Sequence, residues 1–237
     1  MDESKFGGLA GVAWEHLKGV AADMLELEDG EPSDYVAKQI DDLLSDEKRL
    51  IPLLQACGAA LLGRRSQLTD VERRILQLVG KKVQRDVELE HADPTARSEQ
   101  QRHIAVVSKR KICKAGQLQA MDPIDFEYWV AGYFQAHKFR DVWVTKASRD
   151  FGIDIEMKHP KGAPVVVQCK RYRGLVGRPV VQQTYGVMHL VGAKWCYVVT
   201  TGRFTTTARE LQQGHPDICL VDGAELLVGA NARPVRR

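Results

Sequence analysis

Two short segments rich in β-branched residues carry the side-chain types that hydrolyse phosphodiester bonds. Residues 152–158 contain Asp154, and residues 164–170 contain Gln168 and Lys170. The Pro and Gly residues between the segments indicate a turn, so the pair is typical of a β-hairpin. Because side chains alternate faces along a strand, Gln168 and Lys170 share one face of the second strand. If the polar faces of both strands coincide, Asp154 joins them.

The same alternation predicts how the first strand is buried. Asp154 and Glu156 share one face, and Ile153, Ile155 and Met157 take the other. These polar residues interrupt strands that are otherwise apolar enough to be buried on both faces. Polar side chains on exposed strand faces are usually only solvated, so the spacing alone leaves a structural role open.

A carboxylate, an amide oxygen and an ammonium group at one point would support metal-assisted hydrolysis. Asp154 and Gln168 offer the hard oxygen ligands that Mg²⁺ prefers. The Lys170 ammonium would orient a water molecule and stabilise the negative charge that develops on the phosphorus centre. The expected cofactor is therefore Mg²⁺ or Mn²⁺.

The residues around this hairpin resemble a known family. Residues 150–155 (Asp-Phe-Gly-Ile-Asp-Ile) and 168–172 (Gln-Cys-Lys-Arg-Tyr) are similar to the core motif of the Mrr-type restriction endonucleases. In this branch of the PD-(D/E)xK nuclease superfamily a Gln-x-Lys pair forms the second motif. Phe126-Glu127 resembles the family's acidic position on the preceding helix. The resemblance covers about residues 122–227, and Phe151 departs from it without removing a catalytic group.

The resemblance implies a role for each matched residue. Asp154, Gln168 and Glu127 would bind the metal, Lys170 would position the nucleophilic water, and all four would be catalytic. The implied activity is a Mg²⁺-dependent endodeoxyribonuclease that acts in restriction of foreign DNA. Two alternatives stay open, namely a nuclease for repair or branched DNA on the same fold, and a DNA-binding module with an inactive nuclease centre.

The order of predicted elements supports the same fold class. A helix, three strands, a helix, a strand, a helix and a strand give an α/β sandwich with a central mixed sheet over residues 122–229. This agrees with the restriction-endonuclease-like fold that the resemblance implies. The predicted landmarks are a helix started by Asp122-Pro123, strands at 139–146, 195–200 and 218–221, and helices from Pro179 and after Thr205.

Residues 1–115 are predicted to form a separate, all-α region of unknown role. Apolar residues recur there at helical spacing, Thr69 to Glu72 fits a capping box, and Asp93-Pro94 fits a helix start. This region could bind DNA, support a homodimer or contact a partner protein. Residues 230–237 form a predicted basic tail.

Basic residues follow the hairpin directly. Arg171, Arg173 and Arg178 are expected to contact the DNA backbone, because phosphate contacts dominate affinity. Residues 122–237 hold 16 Lys and Arg against 11 Asp and Glu, which suits a polyanionic partner. Gln182 and Gln183 project from the following helix and could reach the site or the DNA.

Composition excludes several other classes of protein. The five cysteines are scattered singly, which argues against a zinc ribbon or a thioredoxin-like site and favours a reducing compartment. Apolar runs of about 18–20 residues are lacking, so no membrane contact is expected, and we predict a cytoplasmic protein. The pattern does not define the base sequence or modification recognised, or whether one or both strands are cut.

Overall fold

The computed structural model describes residues 47–63, 79–81, 91–112, 114–145 and 152–231, together with the single positions Lys38, Asp42, Arg85 and Glu88. Three predicted features lie outside these residues. They are the capping box at 69–72, the turn that contains Asp150 and Phe151, and the basic residues of the tail after position 231.

The described elements alternate between helices and strands. The helices are α1 (Glu47–Leu62), α2 (Pro94–Val107), α3 (Ala115–Ala120), α4 (Pro123–Ala136), α5 (Arg178–Leu190), α6 (Thr206–Gly214) and α7 (Gly223–Asn231). The strands are β1 (Arg140–Val144), β2 (Ile155–Lys158), β3 (Pro164–Lys170), β4 (Leu175–Val176), β5 (Trp195–Thr200), β6 (Arg203–Phe204) and β7 (Ile218–Val221).

Five strands form the central sheet, in the order β1-β2-β3-β5-β7. β1, β2 and β3 pair antiparallel, whereas β3, β5 and β7 pair parallel. The predicted α/β sandwich with a mixed sheet and a helical region ahead of it is therefore confirmed. The short parallel pair of β4 and β6 forms a separate two-stranded sheet that the sequence pattern did not predict.

Each face of the sheet carries its own apolar core. On one face the sheet packs against α5 and α6, and Val166 and Val198 lie in this layer. α1 packs on the side of α5 that faces away from the sheet. On the other face the strands pack against α4 and α2, and Val165, Val167 and Val199 lie there. The strands are buried on both faces, which explains their near-continuous apolar runs.

Three helix starts follow the predicted capping chemistry. Asp93 Oδ1 accepts the N–H of Thr95 at 2.9 Å, Asp122 Oδ1 accepts the N–H of Ile124 at 2.9 Å, and Thr205 caps α6. α2 ends at Val107. On α4 the residues Phe126, Val130 and Phe134 are buried at helical spacing.

One face assignment in the first hairpin strand is wrong. Ile155 and Met157 pack in the layer under α4, as predicted, but Ile153 belongs to the layer under α5. β2 begins only at Ile155. Strict alternation therefore does not extend back to Ile153, because the backbone turns there at Gly152, whose φ is +78°.

The outer edge of β1 is covered by two glutamine side chains from α2. Gln100 Nε2 donates to the carbonyl of Val144 at 2.6 Å, and Gln100 Oε1 accepts the N–H of Val144 at 3.0 Å. Gln101 Nε2 donates to the carbonyl of Val142 at 3.2 Å. The amide of Gln100 thus takes the place of a neighbouring strand, and this edge is protected from pairing with another chain.

α1 approaches α5 at two glycines. A Cβ at Gly58 would lie 1.7 Å from the carbonyl oxygen of Gln182, and a Cβ at Gly186 would lie 2.4 Å from that of Leu54. The helix backbones are therefore in direct contact, and Leu54 and Cys57 are buried against α5. α5 is enclosed by the sheet on one side and α1 on the other, which explains why residues 183–188 are all buried.

The described helices include none that is long and apolar enough to cross a membrane.

Replacing Gly186 with alanine should destabilise the protein. The new methyl group collides with the backbone of Leu54, so α1 must shift, and overpacking of this kind costs about 1–3 kcal/mol. Thermal unfolding measures the loss. Gly116→Ala is the matched control, since a Cβ there meets nothing within 4 Å. Equal melting temperatures for the two variants would contradict the close contact of α1 and α5.

The predicted boundary between residues 1–115 and the nuclease region stays a prediction. A chain that begins at Gly116 should keep an α/β circular dichroism spectrum, yet melt at least about 5 °C lower. The reason is that it lacks Leu54, Ile104 and Val107, which fill both cores.

In this shortened chain Gly186→Ala should no longer be destabilising, because Leu54 is absent. Loss of the circular dichroism signal would show that residues 1–115 share one folding unit with the sheet. An unchanged melting temperature would show that their packing contributes nothing.

Candidate active site

The register of β2 and β3 brings the predicted site residues together. Ile155 lies opposite Val167, and Glu156 lies opposite Val166. The regular pairing ends there, and the next bond runs from the N–H of Asp154 to the carbonyl of Val167 at 2.8 Å. Asp154 therefore lies beside the segment of β3 that carries Gln168, at the point where the hairpin opens.

The carboxylate of Asp154 terminates the backbone ladder. Its Oδ2 accepts the N–H of Cys169. β2 begins one residue after Asp154, so a side chain rather than a backbone carbonyl receives this bond. The bond fixes the carboxylate in position at the end of β2, half-buried beside β3.

Glu127 approaches the same point from α4. It lies in the second turn of that helix, half-buried and one residue after the core residue Phe126. The pKa of the Cys169 thiol reveals the surrounding charges. Burial raises this pKa well above its ordinary value, the negative charges of Asp154 and Glu127 raise it further, and the positive charge of Lys170 opposes them. The two carboxylates and the ammonium are thus close enough to Cys169 to act on its thiol.

Lys170 is the last residue of β3. Its carbonyl accepts the hydroxyl of Thr200 at 2.7 Å and the N–H of Thr201 at 3.3 Å. These bonds from the end of β5 hold the backbone of Lys170 in place. Its side chain is half-buried, and alternation along β3 puts it on the same face as Gln168.

Gln168 is fully buried, with 0% of its surface exposed. One end of its amide contacts the hydroxyl of Thr184 on α5 at 2.6 Å. The other end has no hydrogen-bond partner among the described residues. A Cβ at Gly152 would lie 2.7 Å from this end of Gln168 and 2.4 Å from Nε2 of Gln183, so the three residues border one small space.

The sequence pattern missed Thr184 and the part played by Gly152. Thr184 is a polar residue on the buried stripe of α5, three residues after Val181 and four before Met188. A hydroxyl on such a stripe is the signal that could have identified it, since buried polar groups require partners. Gly152 is required because it has a positive φ and leaves no room for a side chain.

The arginines predicted to contact DNA lie beyond the carboxyl end of β3. Arg171, Arg173 and Arg178 are all exposed. Arg171 Nη1 donates to the carbonyl of Gln119 at 2.8 Å, which ties this loop to α3. Arg173 lines an open cavity of about 400 Å³ together with Arg203 on β6, which the sequence pattern did not single out.

These residues fit a hard divalent cation. The described residues contain no group of three or more His, Cys, Asp and Glu side chains that could hold a metal. A site here therefore depends on two carboxylates and one amide, all with oxygen donors. The amide oxygen of the buried Gln168 is the third candidate ligand, and the end of this amide without a partner among the described residues is its nitrogen, Nε2.

Comparison with known proteins identifies a family that the domain resembles. Residues 118–228 match the restriction endonuclease family defined by the Mrr catalytic domain. The chain is 41% identical over 63 residues to the type IV methyl-directed restriction enzyme EcoKMrr of Escherichia coli. This match covers 27% of the chain and spans only 21% of the relative's length. The chain has no match among solved structures.

The matched residues contain the whole mixed five-stranded sheet. Residues 118–228 of this chain thus correspond to an Mrr-type restriction endonuclease domain.

Proposed function

We propose that residues 118–228 hydrolyse DNA phosphodiester bonds in a reaction that requires Mg²⁺ or Mn²⁺, and that the protein acts in restriction of foreign DNA. The observation that supports this proposal is the bond from the N–H of Cys169 to the carboxylate of Asp154, which holds Asp154 beside the strand segment that carries Gln168 and Lys170. Membership of the domain in a restriction endonuclease family supports DNA as the substrate.

Asp154, Gln168 and Glu127 are the residues that would hold the cation. Asp154 is fixed by its bond to the N–H of Cys169, and Glu127 adds a second negative charge from α4. The cation, when bound, supplies Lewis acidity toward the phosphate and lowers the pKa of a bound water. Gln168 contributes a neutral oxygen, so the ligand set carries two negative charges.

Lys170 acts on the nucleophilic water and on the developing charge. The backbone of Lys170 is hydrogen-bonded to Thr200 and Thr201. Its side chain, which carries the ammonium group, therefore extends from a fixed point at the end of β3. A positioned cationic group of this kind stabilises negative charge without reorganisation during the reaction. The side chain would hold the water in line with the scissile phosphate.

The exposed arginines would bind the substrate. Arg171, Arg173 and Arg178 follow Lys170 in the chain and are all exposed, so they are accessible to a DNA strand. Arg203, which borders the same cavity as Arg173, adds a fourth positive charge. These residues would contact phosphates and fix the register of the duplex without reading its sequence.

Asp154→Asn should abolish cleavage while DNA binding and folding persist. Asparagine keeps an oxygen that can accept the N–H of Cys169, but it removes a negative charge from the proposed cation site. Cleavage of plasmid DNA should also stop in excess EDTA. The arginines should still hold the DNA in a gel-shift assay.

Asp141→Asn is the matched control for this substitution. Asp141 lies on β1 and pairs with Lys158 at 2.8 Å, so its loss leaves the proposed site intact. Cleavage that continues in EDTA would contradict the metal requirement. Lost DNA binding at an unchanged melting temperature would contradict the separation of catalysis from binding.

Lys170→Ala should lose nearly all activity, whereas Gln168→Glu should keep part of it. Glutamate presents a side-chain oxygen at the same reach as glutamine, but alanine offers no replacement for the ammonium. Loss of one preorganised group of this kind commonly costs about 10²–10³ in rate. The single-turnover cleavage rates of the two variants should therefore differ by at least about tenfold. If Gln168→Glu were inactive while Lys170→Ala stayed active, neither residue would belong to the catalytic centre.

A further inference from the structure

The hydroxyl of Thr184 lies within hydrogen-bond distance of two acceptors. It is 2.6 Å from Oε1 of Gln168 and 2.9 Å from the carbonyl oxygen of Val180. A hydroxyl has only one proton to donate, so it cannot satisfy both oxygens. With Oε1 of Gln168 beside Thr184, two acceptors compete for one donor.

The nitrogen end of the Gln168 amide, by contrast, is a donor that lacks an acceptor. Nε2 of Gln168 is buried and has no acceptor among the described residues. It borders Gly152, and so does Nε2 of Gln183, so two amide donors approach the same point. An unsatisfied buried donor costs about 1–3 kcal/mol.

A half turn of the Gln168 amide resolves both conflicts. Nε2 then donates to the hydroxyl oxygen of Thr184, and that hydroxyl donates its single proton to Val180. Oε1 then faces the space beside Gly152, where Nε2 of Gln183 can donate to it. Asp154 lies at the same end of the hairpin and is bonded to Val167 and Cys169, the two neighbours of Gln168 in the chain.

We propose that Thr184 is a positioning residue that selects this orientation of Gln168 and so presents the amide oxygen, rather than the nitrogen, to the divalent cation. This rests on the proposed function of the site. Thr184 does not touch the cation or the DNA; it acts through Gln168. Its hydroxyl is a defined acceptor because its own proton is committed to the carbonyl of Val180 in the preceding turn of α5.

The surroundings of Thr184 hold it in place. The residue is fully buried on α5, which is packed between the sheet and α1. Gly186, two residues further on, contacts the backbone of Leu54, so α5 has little freedom to move. Gly152 completes the arrangement, because any side chain at that position would fill the space into which the oxygen points.

The amide orientation can be measured by NMR on the full chain without metal or DNA. The side-chain NH₂ signals of Gln168 are assigned by their absence in Gln168→Glu. We expect nuclear Overhauser contacts from these protons to the methyl group of Thr184. Contacts to the Hα protons of Gly152 instead would overturn the proposal. Since neither metal nor cleavage is involved, this result is independent of the proposed function.

Mn²⁺ binding, measured by electron paramagnetic resonance, tests the consequence for the site. Thr184→Val keeps the shape of the side chain but removes the hydroxyl, and it should weaken Mn²⁺ binding by about 10-fold, the lower end of the range for residues that orient a ligand. Thr184→Ser keeps the hydroxyl and should bind Mn²⁺ as the parent does. Melting temperatures identify any variant that has lost its fold.

The Gln168→Glu background separates positioning from packing. The two oxygens of a carboxylate are equivalent, so orientation no longer matters there. Thr184→Val should then change the Kd for Mn²⁺ by no more than about twofold, and the two substitutions should be strongly non-additive. An equal loss of affinity in both backgrounds would mean that Thr184 acts only through packing, and would overturn the proposal.

If the parent protein did not bind Mn²⁺, this result would instead contradict the proposed metal-dependent function. The NMR contacts would still decide how the Gln168 amide lies. The two failures are therefore distinguishable.

Discussion

The backbone pairing of β2 with β3 is the constraint on which the rest of the site depends. A slip of one residue would move Gln168 and Lys170 to the opposite face of the sheet, among the side chains under α4. The apolar residues prevent this slip, because Val165 and Val167 fill the layer under α4 while Val166 fills the layer under α5. The catalytic geometry is thus maintained by the packing of ordinary valines.

The site joins both layers of the protein. Gln168 contacts Thr184 on α5, whereas Glu127 approaches from α4 on the other side of the sheet. Asp154 lies at the end of β2, where the hairpin opens and side chains of both layers can meet. Because α1 packs directly on α5, helices ahead of the nuclease domain support the wall of its site. The described part of this region therefore contributes to the core beside the site.

Alternation and capping chemistry were sufficient to predict most of the fold. The hairpin, the start of α4 at Asp122 and the α/β order follow from local patterns, which the tertiary structure preserves. The face of Ile153 was mispredicted because the positive φ of Gly152 ends the strand, and a single glycine in sequence does not reveal its dihedral angle.

Contacts between distant segments could not be predicted in this way. Gln100 pairs with Val144 across 44 positions of the chain, and Gly58 meets α5. Neither contact leaves a local periodic pattern, since each depends on how helices pack against a finished sheet. Thr184 was missed for the same reason. Its hydroxyl acquires significance only once Gln168 lies beside it.

The neutral amide at position 168 is consistent with its surroundings. Gln168 is fully buried, so a carboxylate there would be a buried charge beside Asp154, with Glu127 also close to the site. Like charges so close together raise one another's pKa values, so a carboxylate there would repel its neighbours whenever the cation is absent. An amide avoids this repulsion and stays neutral when no cation is present. The disadvantage of an amide is that only its oxygen can bind a cation, whereas its nitrogen cannot. A site built on glutamine therefore needs a neighbour that distinguishes oxygen from nitrogen, and the Thr184 hydroxyl, whose proton can be committed to Val180, is placed to do so.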